Sequence, residues 1–138
     1  MILSRFQQHL RRILLRPRSE RRVADDNGAV INVRVLPTRI LKLKIRLSVA
    51  ENISNHIILS LTESRGLAKF LLDHRISETF LWTYDSQKLY HLKRCGGCVN
   101  VISSDNLLHI PESLTTGLAA ILERETTRLR RLQDFGLL

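Results

Sequence analysis

The stretch Leu41-Lys42-Leu43-Lys44-Ile45-Arg46-Leu47 alternates apolar and cationic side chains without interruption. Successive side chains of a β-strand point to opposite faces of the sheet, so this alternation predicts a strand with one buried face and one solvated, cationic face. The β-branched residues of Val30–Leu36 predict a second strand just before it, with Val33 and Val35 on one face. Only a short connection that contains Pro37 separates the two segments. We therefore expect them to pair as an antiparallel hairpin.

Helical periodicity replaces this alternation in three other segments, where apolar side chains recur every three or four residues. Pro17 stops the first of these helices, and Pro111 begins the long C-terminal one. In the middle helix, Thr62 or Ser64 is expected to be the N-cap. The polar residues 16–27 are expected to form a loop before the first strand. The predicted helices cover residues 2–15, 64–74 and 111–135.

A second group of strands is expected between the middle and the C-terminal helix. Gly96-Gly97 predicts a two-residue hairpin turn, because both central positions of such a turn require a positive φ angle. Alternation in the first strand of this group places Phe80, Trp82 and Tyr84 together on one face. The short apolar run at residues 57–61 fits either a further strand or the start of the middle helix. The predicted strands of this group are Thr79–Tyr84, Leu89–Arg94 and Val99–Ile102.

These elements predict an α+β fold in a single domain over residues 1–138: a helix, two or three antiparallel strands, a helix, three antiparallel strands and a long C-terminal helix. Hydrophobic residues make up 43% of the chain and charged residues 25%, a composition that excludes the intrinsically disordered class. No apolar run approaches the roughly 20 residues that a membrane-spanning helix needs. We therefore expect no transmembrane segment. The two closely spaced cysteines make no disulfide framework and no secretory signal is recognised, so we expect a cytoplasmic protein.

The positive charge is concentrated at one end of the chain. Residues 1–22 contain seven arginines and one acidic residue, Glu20, so they carry most of the formal net charge of +9. The helix and loop predicted there are amphipathic and strongly basic. We expect this helix to pack on the sheet or to bind a partner. The same pattern is also typical of a mitochondrial presequence and of helices that lie on anionic membranes, and these are the alternatives.

Cys95-Gly96-Gly97-Cys98 is a motif with the spacing of a zinc or dithiol site. Tetrahedral zinc would need two further ligands, and His91 and His109 are the only nearby candidates in the sequence. Redox-active pairs usually start a helix, whereas this pair flanks a predicted β-turn. No serine lies in a nucleophile elbow, and no glycine-rich loop resembles a phosphate cradle. We expect no metal, no cofactor and no enzyme activity.

Binding to another macromolecule is the remaining class of function. The cations Lys42, Lys44 and Arg46, with Arg34 beside them, are candidate contacts for phosphates. No aromatic side chain is interleaved with them to stack on bases, so we interpret this face as an ordinary solvated one and keep nucleic acid as an alternative partner. The aromatic stripe predicted on the strand at residues 79–84 is more typical of a core or of a protein interface.

The predicted helices and strands follow one another along the chain in a characteristic order. A short helix comes first, four recognisable segments follow, and a long amphipathic helix comes last. This order is similar to that of the class I effector chaperones of bacterial type III secretion systems, which are small α+β proteins of about this length. The resemblance covers nearly the whole chain and rests on element order and hydrophobic pattern. The four segments are Asp26-Asn27-Gly28, Phe70-Leu71-Leu72, Phe80-Leu81-Trp82-Thr83-Tyr84-Asp85 and Leu89-Tyr90-His91-Leu92.

The resemblance implies a non-catalytic, cytoplasmic protein that forms a homodimer or pairs with a second small chaperone. The dimer would bind the N-terminal segment of a secreted effector and keep it competent for export. By this resemblance the client contacts fall on Phe6, Leu10, Ile13, Val33 and Val35, and the dimer contacts fall on Leu67, Phe70, Leu71, Phe80, Trp82 and Tyr84.

The basic character of the chain departs from the family, whose members are commonly acidic. A basic subunit of a heterodimer or an acidic client segment would account for this difference. Two other functions stay open as alternatives. One is a basic protein that binds nucleic acid or an anionic membrane, and the other is an adaptor domain similar to the longin and roadblock domains.

Overall fold

Two four-stranded antiparallel sheets and two helices form the described part of the protein. Four strands followed by one helix occur twice in succession, and in each sheet the strands are neighbours in sequence order. The expected α+β fold with a long C-terminal helix is confirmed. The structure is a computed structural model that describes residues 4–6, 8–9, 20–37, 43–49, 52–82 and 88–135. The elements are β1 (Glu20–Ala24), β2 (Val30–Pro37), β3 (Leu43–Val49), β4 (Asn52–Ser60), α1 (Leu61–Leu72), β5 (Glu78–Trp82), β6 (Leu89–Cys95), β7 (Cys98–Ile102), β8 (Leu107–Pro111) and α2 (Glu112–Asp134).

Strand alternation in β2 and β3 buries their apolar side chains, as the sequence predicts. Ile31, Val33 and Val35 of β2 are at most 2% exposed, and Ile45 and Leu47 of β3 are fully buried. Antiparallel pairing brings Val33 opposite Leu47 and Val35 opposite Ile45. The expected pairing of these two strands is confirmed, and their shared apolar face forms one wall of the core.

The prediction of a loop over residues 16–27 is wrong for β1, which pairs with β2 along its whole length. β1 has the polar sequence Glu-Arg-Arg-Val-Ala and lies at the edge of its sheet. An edge strand tolerates charged side chains and needs little buried apolar surface. Val23, which is 8% exposed, is the side chain that anchors β1 in the core.

The ambiguous run at residues 57–61 divides between a strand and a helix. β4 extends to Ser60, and α1 begins at the next residue. The Ser60 hydroxyl accepts a hydrogen bond from Glu63 N at 3.1 Å, and Glu63 Oε1 accepts one from Ser60 N at 2.9 Å. This reciprocal capping box stops the strand and starts the helix. The expectation that Thr62 or Ser64 is the N-cap is therefore wrong.

The second sheet contains a strand that the sequence did not predict. β5, β6 and β7 correspond to the three expected strands with slightly different bounds, and β8 adds the fourth. β8 pairs with β7 and ends at Pro111, which is also the N-cap of α2. The hairpin turn at Gly96-Gly97 is confirmed, although Gly97 alone of the two has a positive φ, at 80°.

Both helices pack against each other and against strands of both sheets, so the two sheets share one apolar core. Tyr90 of β6 spans this core and donates a hydrogen bond to the Ile58 carbonyl of β4 at 2.6 Å. The periodicity of the C-terminal helix correctly predicts its buried side. The α2 leucines that enter the core are Leu114, Leu118, Leu122 and Leu129.

Few residues of the predicted first helix are described. Arg5, Phe6, Gln8 and His9 have helical backbone, and the rest of residues 2–15, except Ser4, lies outside the described residues. Neither α1 nor α2 is both long enough and apolar enough to cross a lipid bilayer.

Candidate functional site

Apolar side chains from all four strands lie on the outer face of the second sheet. Residues directly opposite each other in an antiparallel pair point to the same side. The register pairs Trp82 with Leu89 and Ile102 with Leu107, and Phe80 lies on the same side of β5 as Trp82. The pairing of β6 with β7 places both groups on one face. We call Phe80, Trp82, Leu89, Ile102 and Leu107 the apolar patch.

Most of the apolar patch is in contact with solvent. The exposed fractions are 56% for Phe80, 52% for Trp82, 54% for Leu89 and 49% for Leu107. Contiguous exposed apolar surface typically marks an interaction site. The opposite face of the same sheet is buried in the core through Tyr90, Leu92, Val99, Val101, Leu108 and Ile110. The sheet is thus apolar on both faces at this end and covered on only one.

His91 holds one side of the apolar patch in place. Its ring stacks on the Phe80 ring, with centroids 4.6 Å apart and planes inclined by 13°. Its Nε2 lies 2.5 Å from Glu78 Oε1. These two contacts hold the imidazole from two directions and fix the Phe80 ring against it.

The outer face continues beyond the patch as a polar region. Glu78 lies opposite Lys93, and Asn100 lies opposite His109. His109 Nδ1 is 2.6 Å from Asn100 Oδ1. One face therefore combines an apolar half with a polar half, which is the usual arrangement of a protein interface with a polar rim.

The two cysteines are free thiols at the turn of the β6–β7 hairpin, where Cys95 lies opposite Cys98. Of the two histidines considered as further zinc ligands, His91 contacts Glu78 and His109 contacts Asn100. Among the side chains that the structure describes, no group of three or more His, Cys, Asp or Glu residues is arranged to hold a metal ion.

Three residues that the chaperone resemblance assigns to the dimer contact lie in the core. Leu67, Phe70 and Leu71 of α1 are at most 3% exposed. They pack inside one subunit and offer no surface to a second one. Tyr84 lies outside the described residues. The accessible members of the predicted set are therefore the two aromatic residues of the apolar patch.

Of the five predicted client contacts, two are buried, one is exposed and two lie outside the described residues. Val33 and Val35 are 1% and 2% exposed and fill the core of the first sheet. Phe6, at 72%, is among the most exposed large apolar side chains of the described residues. Leu10 and Ile13 lie outside the described residues. Phe6 alone of the five is thus seen at the surface.

Three patch residues, Leu89, Ile102 and Leu107, were not singled out by the sequence. Leu89 starts a strand whose even-numbered residues carry the stronger apolar pattern, and Leu107 belongs to the unpredicted β8. The polar stretch at residues 103–106 is a turn sequence between two short apolar runs. This stretch was the feature from which β8 and its outward-facing leucine could have been predicted.

A second candidate surface lies on the outer side of the first sheet, where Arg22 and Arg34 are exposed and Lys44 and Arg46 are partly buried. Arg22, Arg34, Lys44 and Arg46 point to this side, and we call them the cationic face. Arg34 lies directly opposite Arg46, and like charges in that position are destabilising. The strand register also places one acidic residue on this side, because Glu20 of β1 lies directly opposite Arg34. Lys42, which the sequence places with them, lies outside the described residues.

Two buried carboxylates are used in structural contacts. Glu63 and Glu125 are each 1% exposed. Glu63 belongs to the capping box of α1. Glu125 lies 2.7 Å from Arg128 on the same helix and 3.7 Å from Arg21 of β1. These contacts compensate the two buried acidic groups for their loss of water.

No protein-family model and no curated protein matches this sequence. The apolar patch and the cationic face are therefore the features from which a function can be argued.

Proposed function

We propose that the protein is a non-catalytic binding protein that pairs with a second copy of itself through the apolar patch and acts as a chaperone for an extended segment of a secreted effector. The observation that carries the proposal is the half-exposed apolar patch on the outer face of the second sheet. Covering such surface removes apolar area from water, which contributes about 25 cal/mol per Å². Aromatic anchors such as Phe80 and Trp82 are typical of the centres of protein interfaces.

The charge of this face favours a second copy of the chain as the occupant. Among the described residues, its outer side presents the charged pair Glu78 and Lys93, which have opposite signs. Two copies of a chain with a formal net charge of +9 repel each other, and a face of balanced charge adds nothing to that repulsion. A two-fold contact would bury the same patch on both copies. The cationic face would oppose such a contact.

The chaperone role is supported by the sequence resemblance and by two sheet edges. β1 and β5 each form one of the two edges of their sheets in the described part of the chain, and β4 and β8 form the other edges. An outermost strand offers backbone N–H and C=O groups with which an extended peptide can pair. This mode of binding suits a client that is kept unfolded for export. The exposed Phe6 would add an apolar contact on the N-terminal segment.

Light scattering on two matched variants tests the dimer. Leu89 and Leu72 are 54% and 46% exposed, but Leu72 lies at the end of α1 and outside the patch. We expect the wild type and Leu72→Lys to be dimers at high micromolar concentration. Leu89→Lys should be a monomer, because the contact would bury an unpaired charge in the apolar patch. A monomeric wild type, or a dimeric Leu89→Lys, would overturn the proposal.

Calorimetry with synthetic peptides tests the client. The peptides would cover the N-terminal segments of proteins encoded by the neighbouring genes, with scrambled versions as controls. We expect one native peptide to bind to the dimer and its scrambled version not to bind. If the dimer forms and no peptide binds, the chaperone role is overturned and the self-association is retained.

Nucleic acid binding by the cationic face is the second candidate function. The observation in its favour is that Arg22, Arg34, Lys44 and Arg46 share one side of the first sheet, where the strand register places only one acidic residue, Glu20, among the described residues. Fluorescence anisotropy with a DNA duplex over a salt series tests it, and anionic vesicles form a separate arm. Arg34→Ala should lower the slope of log affinity against log salt by about one. Arg75→Ala, an exposed arginine paired with Asp73, is the control. Absence of binding at low salt removes this candidate.

A further inference from the structure

The turn of the β6–β7 hairpin holds two thiols that neither proposed function uses. We propose that Cys95 and Cys98 form a reversible cross-strand disulfide by exchange with small-molecule disulfides. The two residues lie at the polar end of the outer face, away from the apolar patch. The inference concerns a separate reaction and does not depend on the proposed function.

The register of β6 and β7 places Cys95 and Cys98 close enough for a disulfide bond. Cys95 lies directly opposite Cys98 in the antiparallel pairing of β6 and β7. Opposite residues in such a pair have α-carbons about 4.5–5.5 Å apart. A disulfide accommodates α-carbon separations of about 4.4–6.8 Å. The strand pairing therefore already provides the separation that the bond requires.

Asn100 shows that both sulfur atoms converge on the same side of the hairpin. Its Nδ2 donates to Cys95 Sγ at 3.5 Å, and Cys98 Sγ donates to its Oδ1 at 3.9 Å. One side-chain amide thus reaches both sulfur atoms. His109 Nδ1, 2.6 Å from Asn100 Oδ1, holds that amide from the neighbouring strand β8.

The two glycines of the turn have few contacts with the rest of the protein. Apart from each glycine and its chain neighbours, no heavy atom lies within 4 Å of the position that a β-carbon would occupy on Gly96 or Gly97. On its other side, Cys98 lies opposite Pro111, which has no N–H to donate to the ladder. Gly97 O accepts a hydrogen bond from Glu112 N at 3.0 Å, which holds the turn in place, so the disulfide forms within the existing strand register.

Unequal exposure gives the two thiols different roles. Cys95 is exposed, whereas Cys98 is only 6% exposed. The Cys95 thiolate attacks one sulfur of the small disulfide, which forms a mixed disulfide and releases one small thiol. The Cys98 thiolate then attacks Cys95 Sγ, which forms the protein disulfide and releases the second small thiol. Two protein thiols are oxidised, one small disulfide is reduced, and an excess of small thiol reverses both steps.

Intact-mass spectrometry of the reduced full chain treated with oxidised glutathione tests the proposal. The wild type should lose two hydrogen atoms and retain no glutathionyl group, and dithiothreitol should restore its mass. Cys98→Ser should retain one glutathionyl group, because the second attack is impossible. Cys95→Ser should react at least about tenfold more slowly, because its remaining thiol is buried.

Other outcomes would contradict the proposal. A wild type that keeps both hydrogen atoms, retains glutathionyl groups or becomes linked to a second chain would overturn the cross-strand disulfide. If Cys95→Ser reacts as fast as Cys98→Ser, the assignment of the first attack to Cys95 is wrong. The wild-type masses decide the main question even if a serine variant fails to fold.

Discussion

Asp25 accepts a hydrogen bond from the Ser113 hydroxyl at 2.5 Å, and this contact joins the β1–β2 turn to the first turn of α2. The same carboxylate accepts hydrogen bonds from the backbone N–H groups of Asn27 and Ala29, both at 2.9 Å. The N-cap of α2, Pro111, has no side-chain capping bond, and Asp25 adds its negative charge to that of Glu112 in the first turn, which favours a helix N-terminus. The Ser113 hydrogen bond and then that from Ala29 hold the pKa of Asp25 below its ordinary value of 3.8.

Asp25→Asn is expected to lower the free energy of unfolding near neutral pH. Because the pKa of Asp25 is lower in the folded protein, its contribution is present above pH 3.8 and is lost as the pH falls through the folded-state pKa. Urea unfolding of both proteins at several pH values measures this. The difference in the free energy of unfolding between the wild type and Asp25→Asn should become smaller below pH 3.8. Ser113→Ala, which removes the largest cause of the shift, should reproduce part of the effect. An unchanged difference in acid would contradict this assignment.

Tyr90→Phe is expected to destabilise the protein by about 1–2 kcal/mol, because the Ile58 carbonyl loses its hydrogen-bond donor inside the core. Burial, followed by the nearby charge of Glu63, raises the pKa of Tyr90 to about 12. The neutral phenol is therefore favoured in the folded protein. Its contribution is complete below pH 10.0 and is lost as the pH rises from 10.0 through about 12.

Alkaline unfolding curves of the wild type and Tyr90→Phe measure this effect. The wild type should lose stability more steeply above pH 10.0 than the variant does. Parallel curves for the two proteins would show that Tyr90 does not titrate during unfolding, and the proposed environment of its hydroxyl would be wrong.

Ser60→Ala is expected to destabilise the protein by about 1 kcal/mol, because Glu63 N loses its acceptor at the start of α1. Thr62→Ala is the matched control. Thr62 is exposed and lies one residue inside the helix, so its replacement should cost less. Chemical denaturation of the two variants measures the difference. A larger cost at Thr62 would place the cap where the sequence alone suggested it.

Phe80→Ala is expected to weaken the association of two copies while leaving the stability of each copy almost unchanged. Phe80 is 56% exposed, so its truncation should cost far less stability than Leu92→Ala, which removes a fully buried side chain of the same sheet. Large-to-small changes in cores typically cost about 2–5 kcal/mol. Thermal unfolding measures the stability of both variants, and light scattering measures their association. Loss of the dimer in Phe80→Ala with little loss of stability is the expected result. A Phe80→Ala protein as unstable as Leu92→Ala would show that Phe80 serves the core.

The sequence pattern correctly predicted the elements whose apolar residues follow a single period, either that of a strand or that of a helix. The alternation through Ile45 and Leu47 identified β3, and the recurrence of apolar side chains every three or four residues identified α2. Local patterns failed where a strand carries few apolar residues, as in β1, or where a short one follows a turn, as in β8. The Ser60 cap was missed because the sequence offers several hydroxyl residues in succession, and only the end of β4 selects among them.

The sequence by itself determined that this chain forms an α+β fold with a long C-terminal helix, because side-chain period is a local property of the backbone. Only the tertiary structure decided which apolar side chains remain in water. In β6 both Leu89 and its neighbour Tyr90 are large and apolar, yet one is 54% exposed and the other 1%. Burial depends on what packs against each face of the sheet, and those contacts come from residues distant in the chain.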